Sequence, residues 1–243
     1  MENKSNNTIP FAILSASFLL GVIIFVFTWK SNYNSNQVIN VTGSAKREIV
    51  SDLGVIKGTV SVEGTTAEAA YKELQRQIPL LLDYLSSRGF PKDKIDLQMI
   101  NSYPLYQMGA NGYTTNIIRG YTYSQRFQFN STDVQKIKAI SLDLPSVVER
   151  GVNLRLDMPE YHYTKLADLK IEIQAAAAKD AKTRAEKIAQ ATDREIGPLR
   201  NAKMGVIQIT PRLSNQVSDY GINDLSSIDK EITAVVNASF IIK

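Results

Sequence analysis

From Ile9 to Trp29 the chain runs for 21 residues without a charged side chain, IPFAILSASFLLGVIIFVFTW, and nothing else constrains it as strongly. A bilayer core about 30 Å thick is crossed by roughly 20 apolar residues in a helix. A cleavable signal has a shorter apolar centre, about 7–15 residues, with a small-residue cleavage site behind it. Here the exit reads Lys30-Ser-Asn-Tyr-Asn-Ser-Asn-Gln, with neither an A-x-A pattern nor a cysteine. The expectation is an uncleaved, single-pass anchor over residues 9–29, opened by Pro10 and closed by Trp29 at the interface. Lys4 and Lys30 flank the span evenly, so charge asymmetry alone does not orient it. Residues 1–8 then form a short cytoplasmic N-terminus, and residues 30–37, rich in Ser and Asn, a linker. Residues 38–243 are expected as a domain held at the cytoplasmic (inner) membrane and exported to the periplasm or the cell exterior.

Composition narrows the chemistry. The 28 Lys+Arg against 24 Asp+Glu are spread along the chain, with no basic block longer than Lys46-Arg47. Nucleic-acid binders concentrate such residues on one face, so no nucleic-acid partner is expected. The absence of cysteine removes disulfides, thiolate metal sites and Cys nucleophiles. A single histidine, His162, rules out a His-rich zinc site and leaves one candidate base for any Ser-His-Asp arrangement. Neither a G-x-S-x-G elbow nor a P-loop or dinucleotide glycine pattern occurs. No catalytic residue, cofactor site or metal ligand is assigned, and the chain is not expected to be an enzyme. His162, between Tyr161 and Tyr163, is read as a surface or packing residue.

Periodicity in the exported part predicts an α+β fold of antiparallel sheets with layered helices, with two lobes split near residue 157. Two β-rich runs fill Val38–Glu63, and in the second Ile56, Val60 and Val62 share a face. Thr65-Thr66-Ala67-Glu68 reads as a capping box for a helix whose apolar stripe includes Ala70, Leu74, Ile78, Leu81 and Leu85. Pro79 inside that helix is expected to kink it, and Gly89 to end it. Tyr121, Tyr123, Gln125, Phe127 and Phe129 alternate with Thr122, Ser124, Arg126 and Gln128, which predicts a strand with an aromatic face. A short helix capped by Ser131 is expected to present Val134, Ile137 and Ile140, and Val152, Leu154 and Leu156 to form another strand. A long helix over about Lys165–Ala191 carries Ala175 to Ala178, then Ala181, Ala185 and Ala189; its alanine face suits its own sheet or a seam between subunits. Gly205–Thr210 reads as a strand, Arg212–Lys230 as a long loop, and Ile232 to Ile242 alternate as the last strand.

Several short motifs recur in order. They are Val41-Thr42-Gly43, Ser51-Asp52, Thr65-Thr66-Ala67-Glu68-Ala69, Gly89-Phe90 with Asp93-Lys94-Ile95, and Pro104-Leu105-Tyr106. Gly120-Tyr121 and the helix end Arg184-Ala185-Glu186-Lys187-Ile188-Ala189 complete the set. Together they resemble the SIMPL-domain family (periplasmic immunogenic protein-like) over roughly residues 38–243. The chain departs from the family pattern at Ser51-Asp52, where relatives usually carry Pro-Asp, and at Asp229-Lys230, where they tend to carry Pro-Gly; both are read as turn details. The resemblance implies an exported α+β protein able to form ring- or channel-like homo-oligomers and linked with envelope and oxidative-stress tolerance. No agreed activity comes with it.

The residues left as candidates are five tyrosines, Tyr103, Tyr106, Tyr113, Tyr121 and Tyr123, as a ligand or assembly surface. Tyr offers a flat apolar face with a polar tip. The leading expectation is a non-catalytic membrane-anchored assembly protein, a homo-oligomer tied to the membrane through residues 9–29. The alternative is a periplasmic binding module that takes an unidentified small molecule on the tyrosine-rich surface.

Overall fold

The computed structural model describes residues 8–35 and 37–242, with side chains over 13–30 and 37–242. The apolar run becomes α1 (Thr8–Ser35), 28 residues or about 42 Å of helix. Over Ile13–Lys30 it is long and apolar enough to cross a membrane, and every side chain there is exposed. The rings of Phe25 and Trp29 stack obliquely one turn apart, 5.7 Å between centroids. The helix does not stop at Trp29. Its backbone stays helical to Ser35, so residues 31–35 of the expected linker continue the helix. Neither Gly nor Pro follows Gly21 before Gln37, and extending an existing helix is far easier than starting one. The N-terminal flank over residues 1–7 and the linker residue Asn36 lie outside the described residues.

Residues 38–242 are α+β, with two largely antiparallel five-stranded sheets. In chain order they contain β1 (Val38–Val50), β2 (Leu53–Gly64), α2 (Ala67–Ser87), β3 (Asp96–Met108), β4 (Thr114–Ser131) and α3 (Val134–Asp143). Then follow β5 (Leu154–Leu156), β6 (Glu160–His162), α4 (Leu166–Gln190), β7 (Ile196–Met204), β8 (Gln208–Pro211), β9 (Ile222–Asn223) and β10 (Asp229–Ile242). The chain forms two units, each drawn from separated stretches. One comprises Met1–Arg47, Asp168–Ile207 and Thr233–Lys243; the other comprises Glu48–Ala167 and Gln208–Ile232, and residue 157 lies inside it.

In the first unit β10 lies between β1 and β7. Side-chain size decides the packing. α4 buries Leu169, Ile173, Ala177, Ala181, Ala185 and Ala189 at four-residue steps, a row that winds slowly around the helix. A Cβ on Gly43 of β1 would lie 2.3 Å from the amide nitrogen of Ala181 and 2.4 Å from the carbonyl oxygen of Ala177. Strand and helix therefore touch backbone to backbone, which only glycine against alanine permits. The alanine row is thus engaged within the chain. The Ser44 amide donates to Asp180 Oδ2 at 2.8 Å, fixing the register of helix on strand.

In the second unit the sheet order is β3-β4-β2, with β5 and β6 pairing the other edge of β2. Every second residue of β2 from Gly54 to Val62 is buried. Ile56, Val60 and Val62 meet Phe127 and Phe129 of β4, Leu74, Leu81 and Leu85 of α2, and Ile137 and Ile140 of α3 in one core. Burying each such side chain contributes about 1.5–3 kcal/mol. α2 runs unbroken through Pro79 and ends at Gly89, whose φ of 81° suits a residue without Cβ.

Two caps differ from expectation. Thr66, not Thr65, caps α2, accepting from the Ala69 amide at 3.1 Å, while Glu68 pairs with Lys72 instead of closing a box. Asp133, not Ser131, caps α3, accepting from the Lys136 amide at 2.9 Å; a carboxylate two residues closer to the helix outcompetes the hydroxyl. Ser131 instead accepts from the Asp133 amide. β6, β7 and β9 were not expected. Two are only two or three residues long, and β7 is an edge strand with Gly197-Pro198 and no alternation.

Candidate functional site

β2 lies beside β4 only from Gly54↔Ser131 to Gly64↔Tyr121. At the end of that ladder a Cβ on Gly120 would fall 2.6 Å from the Gly64 carbonyl oxygen, so the close approach requires glycine. β3 and β4 nevertheless continue pairing outward to Met108↔Thr114. Beyond Gly120 they form a two-stranded arm with no third strand among the described residues, and both its outer edges carry backbone N–H and C=O groups without ladder partners there. Its tip is held by Gly109, whose amide donates to the Tyr113 carbonyl at 2.8 Å, and by Gly112 at φ 79°.

The arm exposes several apolar side chains among uncharged polar ones. Met108, Tyr113 and Ile117 are 67, 74 and 61% exposed, and Ile118 stands beside them at 47%. From Gln98 to Ile118 the sequence contains no Asp, Glu, Lys or Arg. Charge resumes at the base, where Arg119 and Glu63 approach to 4.0 Å. That stretch is as long as the apolar run at the N-terminus, but Gln, Asn, Ser and Thr interrupt it and no single period runs through it, so it does not stand out as an element.

The five tyrosines all lie on this hairpin but not on one face. Tyr103 pairs with Thr122, whereas Tyr121 pairs with Pro104 and Tyr123 with Ser102. Neighbours along a strand point to opposite faces, so Tyr103 is turned away from Tyr121 and Tyr123. Tyr123 meets Tyr71 of α2 edge to face, 5.9 Å between centroids, and is half-buried. Tyr106 stands opposite Ile118, and Tyr113 sits at the tip. Tyr103, Tyr106 and Tyr113 are exposed; Tyr106 and Tyr113 lie on the arm with Ile117 and Ile118, whereas Tyr103 lies inward of Gly120.

The titratable groups elsewhere are committed to the fold. His162 Nε2 lies 3.2 Å from Glu160 Oε2, and Glu160 Oε1 accepts from Lys57 at 2.6 Å. The Lys57 ammonium, opposed by burial and assisted by His162, holds the Glu160 carboxyl below the usual range. No hydroxyl bonds His162 among the described residues, and among them no group of three His, Cys, Asp or Glu could hold a metal. Asp52 accepts from the amide and the hydroxyl of Thr164, both at 2.7 Å. Burial pushes its pKa up, but the bonds from Thr164 prevail and hold it low.

Lys230 corrects the sequence reading. It is no turn residue: it is the second residue of β10, is 2% exposed, and donates to the carbonyls of Tyr161 and Asp224, each at 2.5 Å. Burial pushes its pKa down, with Asp224 opposing. Nothing local announced this, since its partners are 69 and 6 residues away. The second unit also holds a cleft of about 730 Å³. Ile56, Leu156, Tyr161 and Ile228 line it, with Leu142 and Leu213 exposed at its margin and none of the five tyrosines in its wall.

Comparison with known proteins adds a family and no activity. Residues 39–240 match the SIMPL family, described as protein of unknown function (DUF541). No curated protein matches the chain. Among solved structures, a Burkholderia cenocepacia protein described as an amidohydrolase/peptidase aligns at 13% identity over 57% of this chain and 35% of its own length. Its TM-score is 0.19, too low to carry an argument about fold or chemistry.

Proposed function

The chain belongs to the SIMPL family, and on that premise we propose that it is a non-catalytic, membrane-anchored envelope protein whose domain self-assembles through the β3–β4 arm. α1 holds it in the cytoplasmic membrane as a single-pass anchor, with the domain on the periplasmic side. One observation carries the reading: an arm with two open edges, no charge from Gln98 to Ile118, and exposed Met, Tyr and Ile side chains. Open edges are templates for strand pairing, and natural proteins that stay monomeric blunt them with Lys, Pro placement or bulges. Here the outward half of the arm carries no Lys, and its pairing has register shifts on either side of Tyr106. A second copy supplies both the missing hydrogen bonds and the apolar cover. Arm against arm is the same surface on both copies, a self-complementary contact that closes about a two-fold axis. Anchoring raises effective concentration, so individually weak contacts suffice.

The absence of cysteine makes the test clean. Ile118→Cys places one thiol on the arm, and Leu142→Cys places one on α3, which is 77% exposed and outside the arm. Mild oxidation of membranes is expected to cross-link Ile118→Cys into dimers and leave Leu142→Cys monomeric. Equal yields from the two would defeat the proposal. A part in envelope or oxidative-stress tolerance extends the same reading, and it requires that an arm-disrupting variant lose peroxide resistance as fully as a deletion does.

A second reading, a binding module, draws on a different observation, the cleft of about 730 Å³. That size falls in the range of small-molecule sites. A ligand seated there would raise the melting temperature in a way abolished by Leu156→Asp and untouched by Tyr106→Ala.

A further inference from the structure

On the first unit, the sheet face opposite the alanine helix carries three asparagines on three neighbouring strands: Asn40 on β1, Asn237 on β10 and Asn201 on β7. Asparagine is depleted in strands, and solvation alone is served better by Thr or Lys, so three together call for a reason. They surround a hollow of about 320 Å³ with Thr42, Ser239 and Lys203. The register places Lys203 directly across from Asn237, and Asn201 across from Ser239.

The hydrogen bonds decide which ends of the amides face outward. Ser239 Oγ donates to Asn40 Oδ1 at 2.5 Å, and Thr42 Oγ1 donates to Asn237 Oδ1 at 2.7 Å. Both amide oxygens are therefore taken, and the –NH2 groups of Asn40 and Asn237 are left to donate. The Asn201 amide and the Lys203 ammonium lie beside them, and no carboxylate lines the hollow. A concave surface of N–H donors with one cation and no anion matches an oxyanion, which accepts several charge-assisted hydrogen bonds at once.

We propose that this face binds a phosphate oxyanion, that of an anionic phospholipid headgroup. The unit that carries the hollow also carries α1, and a chain anchored in a bilayer meets lipid phosphate at far higher local concentration than any free anion. Headgroup binding would add a second, reversible attachment to the one the helix provides.

The full chain, labelled with ¹⁵N-asparagine and held in an uncharged detergent, is titrated in parallel with inorganic phosphate, dihexanoylphosphatidylglycerol and dihexanoylglycerol. The side-chain amide signals of Asn40, Asn201 and Asn237 are expected to shift together and saturate with the phospholipid. They should stay still with the phosphate-free glycerolipid. Lys203→Gln is expected to weaken binding about tenfold, the worth of a charge-assisted hydrogen bond. Asn237→Asp, which keeps the acceptor for Thr42 and replaces donors by a negative charge, should abolish it. Both positions are exposed, and unchanged backbone spectra would confirm that the variants fold. Saturable shifts with inorganic phosphate and none with the phospholipid would overturn the lipid assignment. No shift with either, or binding by Asn237→Asp equal to that of the parent, would overturn the site itself.

Discussion

The two halves of the β3–β4 hairpin are cut from the same pair of strands and meet opposite fates. Inward of Gly120, β4 has β2 on its other side, and Phe127 and Phe129 are 1% exposed with rings stacked 6.4 Å apart. Outward of Gly120 the same strand has lost its neighbour, and Ile117 and Ile118 stand in solvent. Apolar residues occur in both halves, so composition does not separate them; the neighbouring strand does. The inner half is apolar because it folds the domain, whereas the outer half is apolar without any benefit to the fold. That surplus is what points to a partner.

The sharpest break between the halves comes from truncation. Phe127→Ala, in the inner half, empties a packed core and is expected to cost about 3–5 kcal/mol in denaturant unfolding. At the boundary, Gly120→Val drives a side chain into the Gly64 carbonyl 2.6 Å away, an overpacking expected to cost about 1–3 kcal/mol. In the outer half, the double variant Ile117→Asn with Ile118→Asn is expected to change unfolding free energy by no more than about 0.5 kcal/mol per site, while removing the cross-linking that Ile118→Cys reports. A loss of several kcal/mol from that double variant would assign the arm to the fold and erase the contrast.

How much of this was legible depended on the range over which each signal acts. The inner strand was readable because Phe127 and Phe129 alternate with Arg126 and Gln128, and burial on one face imposes that period. The stripe of α2 was equally local, and so was the alanine row of α4. What the alanine row was for became clear only through Gly43, which reaches Ala177 and Ala181 from more than 130 residues away. Lys230 was hidden for the same reason, because the carbonyls that hold it come from Tyr161 and Asp224. The five tyrosines lie on one hairpin, and their separation into two faces follows from the pairing register, which spacing along a single strand does not reveal.

A smaller effect sharpens the contrast through pH. The Asp52 carboxyl is held below its ordinary value of 3.8 in the folded chain. A lowered folded pKa stabilises above the unfolded value, and that stabilisation is lost as pH falls through the folded value. Asp52→Asn should therefore lower stability near neutral pH and flatten the acid limb, so that variant and parent converge below about pH 4, as followed by denaturant midpoints. The arm from Gln98 to Ile118 contains no carboxylate, ammonium or imidazole. Cross-linking through Ile118→Cys, driven by a pH-independent oxidant, should depend on pH only through the thiol itself, and assembly measured by mass should be flat from pH 5 to 8 and nearly indifferent to salt.

The most direct measurement is the protein mass of the detergent-solubilised full chain by light scattering, beside the Ile117→Asn, Ile118→Asn variant under the same conditions. The expected result is a discrete multiple of the 27.0 kDa chain for the parent and a single chain for the variant. A parent that runs as a single chain, or a variant with the mass of an assembled parent, would contradict assembly through the arm.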